Sequence, residues 1–398
     1  MKLYNNLVRK IQLVKSNTQG DRVIWLVVII LSIFSILAVY SSTGTLAYKN
    51  QDGNTEFYMF KHLVIVLLGF ILMYLAHLVK YTYFSKIFQI ALYIAIPLLM
   101  LTLVVGVNLN EAKRVLPLPF GLTFQTSDLA KLTLIMYLAR ELTKRQEIIK
   151  DFKSAFIPII IPVMIVCVLI LPANFSTAAI LFSTSLVLMF IGRVNVRHIL
   201  AMIALGIVGM AFILTMVKVS PGLMHSVFPR AETWMSRIEN FGESESEDDY
   251  QVEQAKIAIA GGGLFGKLPG NSEQRNFLPH PYSDFIYAII IEEYGLIGGA
   301  LILVLYLILL YRAIKIVAKI PRNFGAFLTI GVSFSLVFQA MINMGVAVHL
   351  LPVTGQTLPF VSMGGTSIWF TSISIGIILS VSKEVEKINQ DELIGQPA

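Results

Sequence analysis

Nine apolar segments, each long enough to cross a lipid bilayer, constrain the fold of this chain more than any other feature. They lie near residues 21–42, 58–79, 84–106, 155–172, 176–192, 199–217, 285–310, 325–343 and 366–382. A tenth, weaker segment at 128–143 carries Lys131, and the connecting loops fit one topology only if this segment also crosses. Because only helices and closed barrels satisfy their backbone in lipid, we predict an all-α polytopic protein with ten transmembrane helices in one membrane domain, residues 1–398.

The distribution of basic residues predicts the orientation of these helices. The N-terminus, the even-numbered connections and the C-terminus carry about 20 Lys and Arg, whereas the short odd-numbered connections carry about 4. Both termini should therefore lie in the cytoplasm. The one long connection, residues 218–284 between the seventh and eighth helices, should form a large extracytoplasmic loop.

Composition excludes several classes of protein. Hydrophobic residues make up 56% of the chain and charged residues 14%, which lies outside the range of soluble domains. The net charge of +7 could indicate a nucleic-acid partner, but the basic residues lie between apolar segments, so no such partner is expected. The single cysteine, Cys167, lies in an apolar segment and allows neither an intrachain disulfide nor a thiolate metal cluster. The apolar run at 21–42 is too long for a signal peptide and should remain as an anchor.

The outer loop contains a predicted helix followed by a glycine cluster. Val252, Ala255 and Ile259 are spaced as on one face of a helix, which should lie at the outer interface of the membrane and end at Gly261. The glycines that follow resemble a nucleotide-binding loop, but Leu268 stands where a hydroxyl residue would hold magnesium, and no strand is predicted before them. ATP binding is therefore not expected.

Three acids lie in the stretch LPHPYSDFIYAIIIEEYG, at the start of the eighth apolar segment. Asp284 could be a helix N-cap or a catalytic group, and the spacing leaves both open. With about 100° of rotation per residue, Glu292 lies about 80° from Asp284 around the helix, whereas Glu293 points to the opposite side. Carboxylates facing lipid are costly, so both should face protein or water. We expect Glu293 to brace a neighbouring helix, while Glu292 either shares the substrate side with Asp284 or is also structural.

Three cations are predicted on the same outer side of the membrane. Lys113 and Arg114 lie in a short outer connection, and Lys131 lies one turn inside the fourth helix, three residues after Asp128. Lys131 could simply pair with Asp128 along that helix. Together, the three cations could instead bind an anionic lipid head group, with Arg suited to a bidentate phosphate contact.

The last connection is rich in proline and glycine. Pro352, Gly355, Pro359, Gly364 and Gly365 follow one another closely. Backbone at membrane depth must be buried in protein or line water, so this pattern predicts a structured re-entrant loop.

These motifs resemble, over nearly the whole chain, those of the SEDS family of shape, elongation, division and sporulation proteins. LPVTGQTLPFVSMGGTS is similar to the family signature L-P-x-x-G-x-x-L-P-F-x-S-x-G-G-S-S. QAKIAIAGGGLFG and LPHPYSDFIYAIIIEEYGLIG are similar to the Gly-rich outer segment of the family and to its L-P-x-x-x-T-D-F-I-F-A…E-E-x-G motif. The resemblance implies that Asp284 occupies the position of the family's catalytic aspartate.

The resemblance implies polymerisation of lipid II, a disaccharide-pentapeptide on undecaprenyl pyrophosphate, with Asp284 as general base. The substrate-binding residues would be Lys113, Arg114, Gln125, Lys131, Glu292, Ser362, Gly364 and Gly365, and the structural residues Glu293, Pro352, Gly355 and Pro359. Pyrophosphate leaves without a proton, so a second carboxylic acid is not required. A divalent cation, Mg²⁺ or Mn²⁺, is compatible with this chemistry, and its ligands are not identified.

Three short motifs depart from the family pattern. Where the family has N-G-A-x-R-W, Q-P-S-E and P-D-x-G-T-A, this chain has NEAKRV, QTSD and ANFSTA. The aromatic residue is lost at Val115, the acid is shortened at Asp128, and the acid is neutralised at Asn174. No role is therefore assigned to these three positions.

The resemblance also implies partners and a place in the cell. The partners would be a class B penicillin-binding transpeptidase of the FtsI type and other membrane proteins of the divisome, in the bacterial cytoplasmic (inner) membrane at the division septum. At Thr354 the chain resembles the signature of the division type, FtsW, more than that of the elongation type, RodA. The alternatives are a RodA-like polymerase, a lipid II flippase, and a scaffold for the transpeptidase. The charges lie at the outer half of the membrane, which favours a polymerase over a flippase.

Overall fold

A computed structural model describes residues 19–50, 53–109, 112–118, 122–220, 222, 228, 230–239 and 247–394 of the protein. The helices of these residues are α1 (Arg22–Ser42), α2 (Gly44–Asn50), α3 (Thr55–Leu78), α4 (Tyr81–Val105), α5 (Thr126–Lys144), α6 (Ile157–Ile170), α7 (Phe175–Ile191), α8 (Val196–Val219), α9 (Ala231–Glu239), α10 (Glu247–Gly262), α11 (Ile286–Val317), α12 (Asn323–Ala347) and α13 (Thr366–Ile394). Short 3₁₀ turns occupy Gln146–Ile148 and Gln274–Asn276, and a π turn at Phe152–Phe156 leads into α6.

The predicted polytopic helical architecture is confirmed, because each of the ten predicted segments coincides with a helix. Eight helices of the described residues are long and apolar enough to cross a membrane: α1, α3, α4, the stretch Phe152–Ile170 that contains α6, α8, α11, α12, and α13 as far as Ile388. α7 is apolar but shorter, and α5 is more polar than these eight. The count of ten spans and the cytoplasmic position of both termini stay predictions.

One element departs from the all-α prediction. A three-stranded antiparallel sheet of β1 (Val107–Leu109), β2 (Ala112–Leu118) and β3 (Leu122–Gln125) lies between α4 and α5. The central strand β2 pairs with both neighbours, so that Val115 lies opposite Val107 on one side and Gln125 on the other. The sequence did not indicate these strands because β1 and β3 have only three and four residues, and β2, AKRVLPL, does not alternate apolar with polar residues.

The helix predicted in the outer loop is confirmed as α10, which ends one residue later than expected, at Gly262. Its buried residues Val252, Ala255 and Ala258 pack in one cluster with residues of α11. Its place at the outer interface of the membrane stays a prediction.

The glycine cluster after α10 joins the backbone of α11, which is broken at Gly295 (φ 71°, ψ −176°). The N–H of Leu296 donates to the carbonyl of Gly263 at 2.9 Å instead of to its own helix. The N–H of Lys267 in turn donates to the carbonyl of Glu292 at 2.9 Å, an acceptor that the break leaves free. The glycines therefore complete the hydrogen bonding of a broken helix, which a nucleotide-binding loop would not do.

Two long helices carry the last connection. α12 packs against α11 and α5, and α13 packs along α3. The α3–α13 contact is close because it uses small residues: Gly69 faces Ser372, and Gly376 lies on the backbone of Met73. Residues 348–365 run between these two helices without regular structure, and we call this segment the signature loop.

Candidate active site

Asp284 lies in a turn just before α11 and does not cap that helix. The helix begins at Ile286, its N-cap position is Phe285, and no side chain caps it. The Asp284 carboxylate is partly exposed and accepts a hydrogen bond from Ser283 Oγ at 2.6 Å. The helical angle predicted between Asp284 and Glu292 therefore does not apply, because Asp284 precedes the helical backbone.

The signature loop holds the turn that carries Asp284. Ser362 Oγ donates to the carbonyl of Ser283 at 2.6 Å, and the N–H of Met363 donates to the carbonyl of Tyr282 at 2.9 Å. Ser362 thus contacts the main chain beside Asp284, a contact that its predicted role in substrate binding did not include. Burial, and next the Asp284 carboxylate, raise the pKa of the Tyr282 phenol above its ordinary value.

The predicted glycines and prolines of the signature loop have separate places. Gly355 has a φ of +62°, and a Cβ there would lie 3.6 Å from Asp284 Oδ2, so glycine keeps the approach to the carboxylate open. Gly365, with a φ of +52°, lies beside Thr123 of β3. The carbonyl of Pro359 accepts a hydrogen bond from the Tyr306 hydroxyl of α11.

Two further predicted residues, Gly364 and Pro352, belong to the same loop. Gly364 precedes the start of α13, and its carbonyl accepts from the N–H of Ser367 at 2.9 Å. Pro352 is partly buried where the irregular part of the loop begins.

The small sheet docks on the end of the signature loop. Thr366 Oγ1 donates to the carbonyl of Thr123 at 3.0 Å and accepts from the N–H of Gln125 at 3.2 Å. This contact places β3, and β2 beside it, next to the loop that carries the Asp284 turn. The connection between α4 and α5 therefore lies beside the loop that holds the Asp284 turn.

Three predicted substrate residues share one pocket. Lys113, Arg114 and Gln125 line it together with Asn174 and several apolar residues of α4 and α6. Arg114 Nε donates to the carbonyl of Ala173 at 2.9 Å, and Lys113 Nζ donates to a carbonyl at the end of α4. The lining thus places two cations beside an apolar surface.

Lys131 lies in a second pocket, apart from the first. Its ammonium donates to Asp128 Oδ1 at 3.3 Å and to Gln339 Oε1 at 2.8 Å. The pairing of Lys131 with Asp128 is thus confirmed, and the shortened acid still reaches its partner. Ser335 and Ser367 are among the polar residues that line this second pocket.

Two residues to which the sequence assigned no function, Gln356 and Asn174, connect the signature loop to the pocket of Lys113 and Arg114. Gln356 of the signature loop donates through Nε2 to Thr177 Oγ1 at 2.9 Å and to Asn174 Oδ1 at 3.3 Å. Asn174 also caps α7 by accepting from the N–H of Thr177 at 3.1 Å. An asparagine just before an apolar helix is an N-cap signal, so the role of Asn174 was open to sequence reasoning, whereas that of Gln356 was not.

Glu292 contacts the outer loop and not the two pockets. It is fully buried, and its carboxylate accepts from Lys267 Nζ at 3.1 Å, from the N–H of Glu273 at 3.1 Å, and from Ser272 Oγ. The hydrogen bond to Glu292 raises the pKa of Lys267. Glu292 therefore does not share a face with Asp284, because residues of the outer loop surround the Glu292 carboxylate.

Glu293 lies on the other side of α11, as its helical position predicts. It is buried and accepts a hydrogen bond from Ser41 Oγ of α1. Arg275 donates to the carbonyl of the same Ser41 at 3.1 Å. These contacts fit the predicted bracing of a neighbouring helix.

A divalent cation would have few protein ligands here. Among the described residues, no three His, Cys, Asp or Glu side chains come together as a metal site. Mg²⁺ is commonly bound by one or two carboxylates together with substrate phosphates, and Asp284 could supply one such carboxylate.

Comparison with known sequences identifies the family. A family model described as "Cell cycle protein", covering FtsW, RodA and SpoVE, matches residues 21–387. The chain is 33% identical over 371 residues to a probable peptidoglycan glycosyltransferase FtsW of Geobacter sp. (strain M18), with 91% of this chain and 96% of that protein covered. It is 30% identical over 371 residues to stage V sporulation protein E of Bacillus subtilis (strain 168), with 92% and 98% covered.

Solved structures share the fold. A chain of a peptidoglycan synthase complex that coordinates polymerization and crosslinking matches with a TM-score of 0.70 at 22% identity, covering 92% of this chain and 98% of the other. The rod shape determining protein RodA of Thermus thermophilus matches with a TM-score of 0.64 at 23% identity, covering 92% and 97%. The extent of these matches, with the signature loop and the Asp284 turn in contact, leads to one conclusion: this chain belongs to the FtsW/RodA/SpoVE family, the SEDS proteins, and is FtsW-like.

Proposed function

We propose that this protein is a peptidoglycan glycosyltransferase that polymerises lipid II into glycan strands during cell division, with Asp284 as the general base. One observation carries the assignment of the base. The Asp284 carboxylate is partly exposed, does not cap α11, and lies on a turn that the signature loop fixes through Ser362 and Met363. A carboxylate held in place but still accessible can accept a proton from a substrate.

The chemistry needs a base on one side and positive charge on the other. A sugar hydroxyl of one substrate attacks the anomeric carbon of the other, and the bond from that carbon to the pyrophosphate oxygen breaks. The hydroxyl proton passes to Asp284, and undecaprenyl pyrophosphate leaves with its negative charge. Arg114 and Lys113 line a pocket that could hold this leaving group, where fixed cations stabilise the charge that develops.

The remaining assignments follow from the same proposal. Lys131, Gln125, Gly364 and Gly365 border the substrate path, and the partner is a class B penicillin-binding transpeptidase of the FtsI type within the divisome. The protein acts in the cytoplasmic membrane at the septum. Asp284 is the residue that would hold a divalent cation, which would supply positive charge for the substrate phosphates. The names of the FtsW relatives and the fold shared with a peptidoglycan synthase complex support these assignments.

The test is the replacement Asp284→Asn, assayed with purified lipid II and the partner transpeptidase, with glycan products resolved by length. An amide cannot accept the proton, so we expect polymerisation to fall by at least about 100-fold while the melting temperature stays within the error of the measurement. Glu253→Gln, which neutralises an exposed acid of α10 in the outer loop, should leave the activity unchanged.

Two results would contradict the proposal. A variant that polymerises at the rate of the parent would indicate a scaffold, or an enzyme with another base. Lipid II translocation into vesicles, without glycan synthesis by the parent protein, would indicate a flippase. Complementation of a division mutant as opposed to a rod-shape mutant would separate the FtsW-like role from the RodA-like role.

A further inference from the structure

Two carboxamides project from one face of α12 onto the signature loop. Gln339 and Asn343 are four residues apart, so they lie one above the other on the helix surface. Both are buried, with 4% and 1% of their surface exposed. The sequence analysis assigned no role to either residue. In the proposed reaction, neither is the base and neither is a cation.

Asn343 joins the Asp284 turn to the signature loop. Its Nδ2 donates to the carbonyl of Asp284 at 2.8 Å and to the carbonyl of Gln356 at 2.7 Å. The two hydrogens of one amide nitrogen thus hold two main-chain segments together. The orientation of the amide is fixed, because the opposite orientation would turn its oxygen toward two carbonyl oxygens.

Gln339 makes the equivalent contact on the cationic side. Its Nε2 donates to the carbonyl of Thr357, the residue after Gln356, at 3.0 Å. Its Oε1 accepts from the Lys131 ammonium at 2.8 Å. These two contacts fix the orientation of the Gln339 amide, because the Thr357 carbonyl can only accept a hydrogen bond and the Lys131 ammonium can only donate one.

We propose that Gln339 and Asn343 are positioning residues that fix Asp284 relative to Lys131 for glycosyl transfer, an inference that rests on the proposed function. Their partners, the carbonyls of Gln356 and Thr357, belong to consecutive residues of a loop that is not part of a helix or a sheet. A single helical turn of α12 therefore sets the positions of the base and of a cation at once. Errors of about 1 Å in such positions can cost about 100-fold in rate.

We expect substitutions of Asn343 and of Gln339 to have different kinetic effects. Asn343→Leu keeps the size of the side chain and removes both donors, so kcat should fall on the order of tenfold while the KM for lipid II changes little. Gln339→Met removes one partner of the Lys131 ammonium and leaves the other, Asp128, so it should chiefly raise that KM. Ser333→Ala is the matched control, because Ser333 is fully buried on the same helix and its hydroxyl donates to the carbonyls of Thr329 and Ile330 of that helix.

A second readout measures position without requiring catalysis. In a Cys167→Ser background, Asp284→Cys provides a single thiol whose reaction rate with a water-soluble maleimide reports its surroundings. Adding Asn343→Leu should change that rate by at least about threefold, because the turn loses its anchor, whereas adding Ser333→Ala should not. Where Asn343→Leu does not fold, Asn343→Asp provides the same shape without the amide hydrogens.

The outcomes are separable. Parent values of both kcat and labelling rate in the Asn343 variants would overturn the inference while leaving the proposed function intact. A fall in kcat without a change in labelling would also overturn it, because the effect would not act through the position of residue 284. Altered labelling in a protein whose parent form makes no glycan would retain the positioning contact and reject the proposed function.

Discussion

Glu292 and Glu293 are adjacent in sequence, yet their carboxylates reach different parts of the molecule. Glu292 is surrounded by donors of the segment 267–274, and Glu293 reaches Ser41 on α1. Hydrogen bonds to both oxygens compensate for the burial of the Glu292 carboxylate, which therefore does not need to face the substrate. At the scale of the residue, Glu292 contributes to the attachment of the outer loop, whereas Glu293 joins α11 to α1.

Replacing Glu292 by Gln should destabilise the protein. The amide presents hydrogens to donors that now bind a carboxylate, so we expect a loss of about 3 kcal/mol, seen as a lower melting temperature in detergent. Glu273→Gln is the matched control, since Glu273 also pairs with Lys267, at 3.2 Å, but has a side chain that is 72% exposed. Exposed pairs contribute at most about 1 kcal/mol. Equal melting temperatures for the two variants would contradict the structural role of Glu292.

At the scale of the element, α11 shows how a sequence motif acts through backbone geometry. The helix is broken at Gly295, and residues 263–267 supply the hydrogen-bond partners that the break removes. A Cβ on Gly266 would overlap the carbonyl of Glu293, and one on Gly295 would overlap the carbonyl of Leu264. The glycines are therefore required by the close approach of two main chains.

A comparison of Gly266→Ala with Gly270→Ala separates the energetic effect of this close approach from the effect of backbone strain. Both glycines have a positive φ, +80° and +84°, but a Cβ on Gly270 meets no atom within 4 Å. Gly270→Ala should cost about 1 kcal/mol of folding free energy, whereas Gly266→Ala should cost at least about 3 kcal/mol or prevent assembly. The measurement is thermal unfolding of the two variants in detergent. Similar melting temperatures would mean that the glycine segment does not dock on α11 as described.

At the scale of the whole molecule, the number of helices that cross the membrane decides on which side each connection lies. With ten spans, residue 150 lies in the cytoplasm. If α5 and α7 did not cross, residue 150 would lie outside, because only three spans would precede it. Lys150 is exposed, so a cysteine there is suitable for labelling.

A membrane-impermeant thiol reagent applied to intact spheroplasts distinguishes the two topologies. In the Cys167→Ser background we expect Lys150→Cys to be labelled only after lysis. Asn271→Cys should be labelled from outside and Arg322→Cys only after lysis in either topology, and both positions are exposed. Labelling of position 150 from outside would reject the ten-span prediction.

The sequence by itself determined the helical membrane architecture and supplied the candidate residues for the proposed site. Helices in lipid must satisfy their own backbone, so long apolar segments report spans directly, and ten predicted segments became ten helices. The motif around Asp284 and the spacing of Asp128 and Lys131 are local features, and both were available from the chain alone. The opposed directions of Glu292 and Glu293 also follow from helical periodicity.

Only the tertiary structure decided which groups these residues contact. The break at Gly295, the burial of Glu292 in the outer loop, and the contact of Ser362 with the Asp284 turn all join segments distant in sequence. In the sequence, Asn343 is an ordinary polar residue of an apolar helix. Its contacts with the Asp284 turn and the signature loop exist only because α12 packs beside that loop. Such contacts depend on how helices pack in three dimensions, and a single sequence contains no periodic signal for them.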